Sequence, residues 1–168
     1  MQTFMIIPTY WSEPDGEWNE GDSVYDHATP INEEGTLART LKSIEILDDK
    51  NFTLIILGAV TNLKYLDLME EKLTKIILEA KLQINTILFT DTNLQKAKKV
   101  LYEGTLIPDI LHLNGYSNIR NICLFLPYIL DADIALLIDD DEFFEDPKYV
   151  NKAKEFIGRK FGCVCSIM

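Results

Sequence analysis

Asp139-Asp140-Asp141-Glu142 places four carboxylates in a row, directly after the apolar run Ile134-Ala135-Leu136-Leu137-Ile138. Contiguous carboxylates repel one another, and neighbouring negative charge raises their pKa values. A bound cation relieves that repulsion, and an all-oxygen ligand set suits the hard ions Mg2+ or Mn2+. The alternative is a solvated acidic turn. Position weighs for a site, because five consecutive apolar residues read as a strand buried on both faces, as in a parallel sheet. Open α/β sheets bind their ligands at the carboxyl ends of such strands. If strand geometry persists into the tetrad, period-two alternation puts Asp139 and Asp141 on one side and Asp140 on the other. Two carboxylates then converge on one metal and its ligand.

Other familiar chemistry finds little support. The chain has no Gly-rich phosphate loop ending in Gly-Lys-Ser/Thr, and no Gly-x-Gly-x-x-Gly turn follows the first apolar segment. The only histidines are His27 and His112, and neither lies in a nucleophile–base pattern with a Ser or Cys. His27, in an acidic segment, either reaches a ligand or is an exposed loop residue. Cys123, Cys163 and Cys165 lack the spacing of a zinc site or a disulfide framework. They read as reduced thiols, which points to a cytoplasmic protein.

The 168 residues suit one domain, and 47% hydrophobic content makes that domain globular. A net charge of −11 argues against nucleic acid or an anionic membrane as partner. It also means that a phosphorylated ligand would need local positive charge or a metal. With arginine only at 39, 120 and 159, a metal is the simpler answer. Met1-Gln2-Thr3-Phe4 shows no basic segment followed by an apolar one, so no signal peptide is expected. No apolar run is long enough to span a bilayer.

The elements that must position the tetrad follow from periodicity. A first strand is predicted over Thr3–Tyr10, ended by Pro8, and Trp11–Thr29 reads as a long acidic loop. Pro30–Asn32 leads into a helix with Glu33 and Glu34 in its first turn and Leu37, Leu41, Ile44 and Leu47 on its apolar face. Phe52–Leu57, ending at Gly58, is a second buried strand, and Leu63–Leu82 an amphipathic helix with Leu66, Met69, Leu73, Ile76, Ile77 and Ala80 inward. Asn85–Phe89 is a third strand. Thr90-Asp91-Thr92 caps a helix carrying Leu94, Ala97 and Leu101, with Lys96, Lys98 and Lys99 on a solvated face. After an irregular connection over Gly104–Asn114, Gly115-Tyr116-Ser117 opens a fourth helix with Ser117 as cap, and Pro127 kinks or ends it. The acidic strand comes next. Asp146-Pro147 then starts a helix that buries Tyr149, Val150, Ala153, Phe156 and Ile157 and ends at Gly158. Cys163-Val164-Cys165-Ser166-Ile167 has the look of a further strand. Strands alternating with helices imply an α/β, Rossmann-like fold: a mainly parallel sheet with helices on both faces.

Four segments, in order, resemble the N-terminal half of a GT-A fold glycosyltransferase, closest to the family 2 type. Ile6-Ile7-Pro8-Thr9-Tyr10 is similar to that family's first strand. Pro30-Ile31-Asn32-Glu33-Glu34 with Leu37, Leu41 and Ser43-Ile44 resembles its first helix. Gly115 with Arg120-Asn121 resembles the helix start before the acidic strand, and Leu136–Glu142 its Asp-x-Asp strand end. The resemblance implies a nucleotide-sugar donor held with Mn2+ or Mg2+, which stabilises charge on a leaving diphosphate. It places Pro8, Thr9 and Tyr10 along the nucleoside, Glu33 and Asp140 at the donor site, and Arg120 near the donor phosphates. Asp139 lies on the sugar-phosphate side and shares the metal with Asp141, the direct ligand. Tyr10 otherwise packs at the strand end, Arg120 otherwise pairs with a carboxylate such as Asp133, and Asn32-Glu33 otherwise caps the helix.

The chain departs from the family at three places. The segment 11–29 intervenes where Asn-Glu normally follows the first strand. Leu57-Gly58-Ala59-Val60-Thr61-Asn62 lacks the acid that helps to read the nucleobase. The half that binds the acceptor and supplies the general base is expected beyond these 168 residues or on a second chain. The reading is therefore a single donor-binding domain over 1–168, acting on an unknown acceptor or, alternatively, binding a nucleotide and metal without turnover.

Overall fold

A computed structural model describes residues 1–14, 28–101 and 111–157. Three expectations lie outside those residues: His27 and most of the acidic segment, the connection over 104–110, and the helix end at Gly158 with the Cys163–Ile167 strand.

The described residues form an α/β fold with a parallel sheet of five strands: β1 (Thr3–Ser12), β2 (Thr29–Pro30), β3 (Thr53–Val60), β4 (Thr86–Phe89) and β5 (Ile134–Leu137). Its helices are α1 (Leu37–Ser43), α2 (Leu66–Ala80), α3 (Asp91–Leu101), α4 (Tyr116–Ile129) and α5 (Tyr149–Ile157). β1 is central. One edge pairs with β3 over Phe4–Trp11, and β4 lies beyond β3. The other edge pairs with β5 over Thr3–Ile6 and with β2 at Trp11 and Ser12.

Side-chain alternation along β1 divides the core into two layers. Met5, Ile7 and Trp11 face α1, α2 and α5, meeting Leu37, Leu41, Met69, Leu73 and Val150. Phe4, Ile6 and Tyr10 face the opposite layer, meeting Leu94 of α3 and Ile119, Ile122, Cys123 and Leu126 of α4. Helices thus cover both faces. From β1 the chain steps outward to β3 and β4, then returns by α3 and α4 to place β5 on the other side of β1. That reversal of direction makes a topological switch point between β1 and β5, where doubly wound sheets open a crevice.

Several sequence expectations need correction. Pro8 does not end β1, which runs on to Ser12. The Ile138 N–H donates to the Ile6 carbonyl and the Ile31 N–H to the Ser12 carbonyl, so even-numbered residues of β1 turn their peptide groups toward the β5/β2 edge. β5 stops opposite Ile6 and β2 begins opposite Trp11. Pro8 falls between them, where the missing N–H breaks no ladder bond. Trp11, Ser12 and Thr29 accordingly belong to strands, not to a loop. Gly58 is likewise internal to β3, where a side chain would collide: a Cβ there would stand 2.6 Å from Leu73 Cδ1 and 2.8 Å from Met69 Sδ. Its absence lets α2 lie close on the sheet.

α1 starts only at Leu37, so Glu33 and Glu34 sit in the preceding turn, not in the helix. Gly115, with φ 87°, takes the N-cap position of α4 in place of Ser117. Phe156 is exposed, whereas Val150 is buried and Tyr149, Ala153 and Ile157 pack partly against the core. β5 is not buried on both faces: Ile134 and Leu136 are buried, Ala135 and Leu137 only partly so. The apolar positions assigned to α1 and α2 do face the core.

Candidate functional site

The tetrad leaves β5 at the switch point, alongside the stretch of β1 that neither β5 nor β2 covers. β5 alternation carries on for three residues beyond the strand. Ile138 joins the layer under α1. Asp139 turns to the α4 side, where Arg120 Nη2 donates to its Oδ1 at 2.5 Å. Asp140 turns to the α1 side and accepts from Thr9 Oγ1 at 2.5 Å. The chain then turns, with the Glu142 N–H donating to the Asp139 carbonyl at 3.2 Å and the Asp139 N–H to Glu142 Oε2 at 3.0 Å. Glu142 therefore braces the turn with its carboxylate. The strand geometry assumed for the whole tetrad fails at this turn, and Asp141 projects as an exposed residue.

On the α4 side, Tyr10, Tyr116, Arg120 and Cys123 form one group. Arg120 lies over the Tyr116 ring, 4.9 Å from its centroid, and the Tyr10 and Tyr116 rings are 6.5 Å apart. Burial disfavours the Arg120 charge, but the hydrogen bond and charge of Asp139 outweigh it and hold the guanidinium more firmly protonated than usual. Burial raises the Tyr10 phenol well above its ordinary range against the opposing charge of Arg120. It also pushes the Cys123 thiol up to about 12, again against Arg120. Both groups stay neutral at physiological pH. Asp133, the other carboxylate considered for Arg120, instead accepts from the Gln2 N–H and pairs with the N-terminus.

On the α1 side, the turn is held by residues that the sequence reading did not select. Buried Thr40 Oγ1 lies 2.6 Å from both the Asp140 and the Glu142 carbonyl oxygens. Ser43 Oγ donates to the Thr40 carbonyl at 2.7 Å and accepts from the Phe144 N–H at 2.9 Å. Arg39 Nη2 donates to the Asp141 carbonyl at 2.8 Å, and its guanidinium lies over the Phe143 ring at 5.0 Å. One signal was legible: Leu37, Thr40, Leu41 and Ile44 follow i, i+3, i+4, i+7 spacing, so Thr40 puts a hydroxyl on a core-facing stripe. A hydroxyl there needs a buried acceptor.

Asp140 is the electrostatic outlier of the tetrad. Burial raises its pKa to about 6; the Thr9 hydrogen bond works against the rise, and the neighbouring Asp141 and Asp139 charges add to it. The tetrad is thus functionally divided: Asp139 is an ion-paired carboxylate, Asp140 a buried acid, Asp141 an exposed carboxylate and Glu142 a turn brace.

The remaining candidates are placed as follows. Pro8 and Thr9 lie in the stretch of β1 between its pairings with β5 and β2, and both are buried. Glu33 is exposed in the turn before α1. Lys72 fastens that turn by donating to the Ile31 carbonyl at 2.8 Å and to the Glu33 carbonyl, while lying 4.5 Å from the Trp11 ring centroid. Among the described residues no group of three or more His, Cys, Asp or Glu side chains forms a metal shell. Asp139 and Asp141 are hard oxygen donors that could contribute one or two ligands, with the rest coming from water and phosphate, as Mg2+ commonly requires. That donor set fits the expected ion only as part of a shared shell.

Among the described residues no helix is long and apolar enough to cross a membrane. No family model matches the chain, and no curated protein and no solved structure matches it.

Proposed function

We propose that this chain is the donor-binding part of a glycosyltransferase that uses a nucleotide-diphosphate sugar with Mn2+ or Mg2+. The observation that carries the reading is the acidic turn at the carboxyl end of β5, beside the stretch of β1 between its pairings with β5 and β2, and bracketed by Arg120 and Arg39. Ligands of doubly wound sheets bind at such a switch point. Hard carboxylate oxygens next to guanidinium groups are suited to a metal-bound diphosphate.

In this reading Tyr10 and Tyr116 form an aromatic wall for the nucleoside on the α4 side. Arg120 orients Asp139 and faces the donor. Asp141, with Asp139, holds the ion, which supplies Lewis-acid stabilisation of the departing diphosphate. Thr9 fixes Asp140 so that its carboxyl stays beneath the turn. Pro8 and Glu33 lie at the donor margin. The reading assigns no acceptor site and no general base to the described residues, and it takes the setting to be reduced and cytoplasmic. Calorimetry with UDP and GDP tests the reading: binding should require Mn2+ and disappear in Asp141→Ala, and metal-independent binding would count against it.

One observation favours a second reading, a nucleotide- and metal-binding module without turnover. Asp139 is already committed to Arg120, which leaves Asp141 as the one carboxylate of the tetrad that, among the described residues, is in neither an ion pair, a buried hydrogen bond nor the turn brace. Slow hydrolysis of a bound UDP-sugar would favour the enzyme, and stable binding without it the module.

A further inference from the structure

Arg39 differs electrostatically from the other arginine at the site. Arg120 is neutralised by Asp139 at 2.5 Å. Arg39 is tied instead to a backbone carbonyl, that of Asp141, and forms no ion pair with a carboxylate among the described residues. Its guanidinium thus stands outside every ion pair of the described residues, in a chain of net charge −11. Guanidinium carries five donors in a planar fork, and the Asp141 carbonyl engages only one edge of it. The guanidinium lies over the Phe143 ring, 5.0 Å from its centroid, a cation–π contact that restrains the fork. The bond to the Asp141 carbonyl also ties it to the residue assigned to the metal.

We infer that Arg39 is a phosphate-binding residue of this site, presenting its free edge to the diphosphate while Phe143 restrains it. The inference rests on the donor-binding reading and adds to it a cation on the opposite side of the turn from Arg120. It also answers the charge problem of an acidic protein that takes an anionic ligand. Metal and Arg39 together offset the ligand's charge, and Asp141 lies between them in the chain of contacts. Arg39 is exposed and on the solvent side of α1, so its replacement leaves the core intact, while it removes the bond to the Asp141 carbonyl together with the ligand contact.

The test is calorimetric titration of the 168-residue chain with pyrophosphate and with UDP, each with Mn2+, at low and high salt. Arg39→Gln should weaken both ligands about tenfold, the scale of one charge-assisted hydrogen bond, and should reduce the salt dependence of binding. Phe143→Leu, which keeps the guanidinium and removes the cation–π contact, should give a smaller loss for both. Arg39→Gln binding of pyrophosphate within about twofold of the wild type, with unchanged salt dependence, would overturn the assignment. If the wild type binds UDP no better than pyrophosphate, the nucleoside part of the donor reading fails while Arg39 is still judged on pyrophosphate. A wild type that binds neither ligand overturns both.

Discussion

Identical side chains in the tetrad acquire different chemistry from what surrounds each of them. Asp140 gives this a measurable form. Its folded pKa of about 6 lies above its ordinary value, so between about pH 4 and pH 6 the native state holds a proton that the unfolded chain has released. The native state binds more protons in that window, so this group's contribution to stability falls as pH rises through it and is level above. That rise to about 6 corresponds to roughly 3 kcal/mol at neutral pH. Asp140→Asn keeps an acceptor for Thr9 without the buried charge. It should be more stable than the wild type at pH 7.5, with the difference fading toward pH 4. Denaturant unfolding at both pH values checks this, and a pH-independent difference would contradict it. Cys123 illustrates the opposite situation, a group made inert by burial. It is fully buried and its thiol is pushed up to about 12, so thiolate chemistry is suppressed. Dithionitrobenzoate should leave it unmodified in the native protein and label it on unfolding. Mass spectrometry of the Cys123 peptide reads the outcome directly.

At the scale of elements, α1 serves as the anchor of the acidic turn. Arg39, Thr40 and Ser43 lie within seven helical residues and all contact the segment after β5. Thr40→Val preserves shape but leaves the carbonyls of Asp140 and Glu142 without their donor. Such a loss costs about 1–3 kcal/mol. The amides of Asp139–Phe144 should exchange faster with deuterium, and Mn2+-dependent UDP binding should weaken, whereas Thr40→Ser should restore both. Unchanged exchange in Thr40→Val would dismiss the anchor. This anchor shows where sequence patterns stop being informative. The apolar stripe of α1 was legible, because Leu37, Leu41 and Ile44 repeat at helical spacing. The partners of Thr40 lie 100 and 102 residues away, and no local pattern encodes that contact. The same holds for Pro8. As a local signal it ends a strand; in the sheet it falls between the intervals paired with β5 and β2, which only the placement of those strands reveals.

At the scale of the whole molecule, the parallel order and the two helical layers were readable from alternating strand and helix patterns. The switch point was not, since it depends on which side of β1 receives β5. Once β5 lies there, its acidic end faces the part of β1 between its pairings with β5 and β2, and Thr9, Asp139, Asp140, Arg120 and the α1 anchor meet at one end of the sheet. The division of labour within the tetrad was also beyond the sequence, because it follows from contacts that arise only after the layers close. The central claim is that this end of the sheet holds a metal-bound nucleotide diphosphate. Its most direct test is calorimetric titration of the wild type and Asp141→Ala with UDP and GDP, each with Mn2+ and with a chelator. The wild type should bind at least one of them only with Mn2+, and Asp141→Ala should bind neither. Equal binding in chelator, or undiminished binding in Asp141→Ala, would contradict the claim.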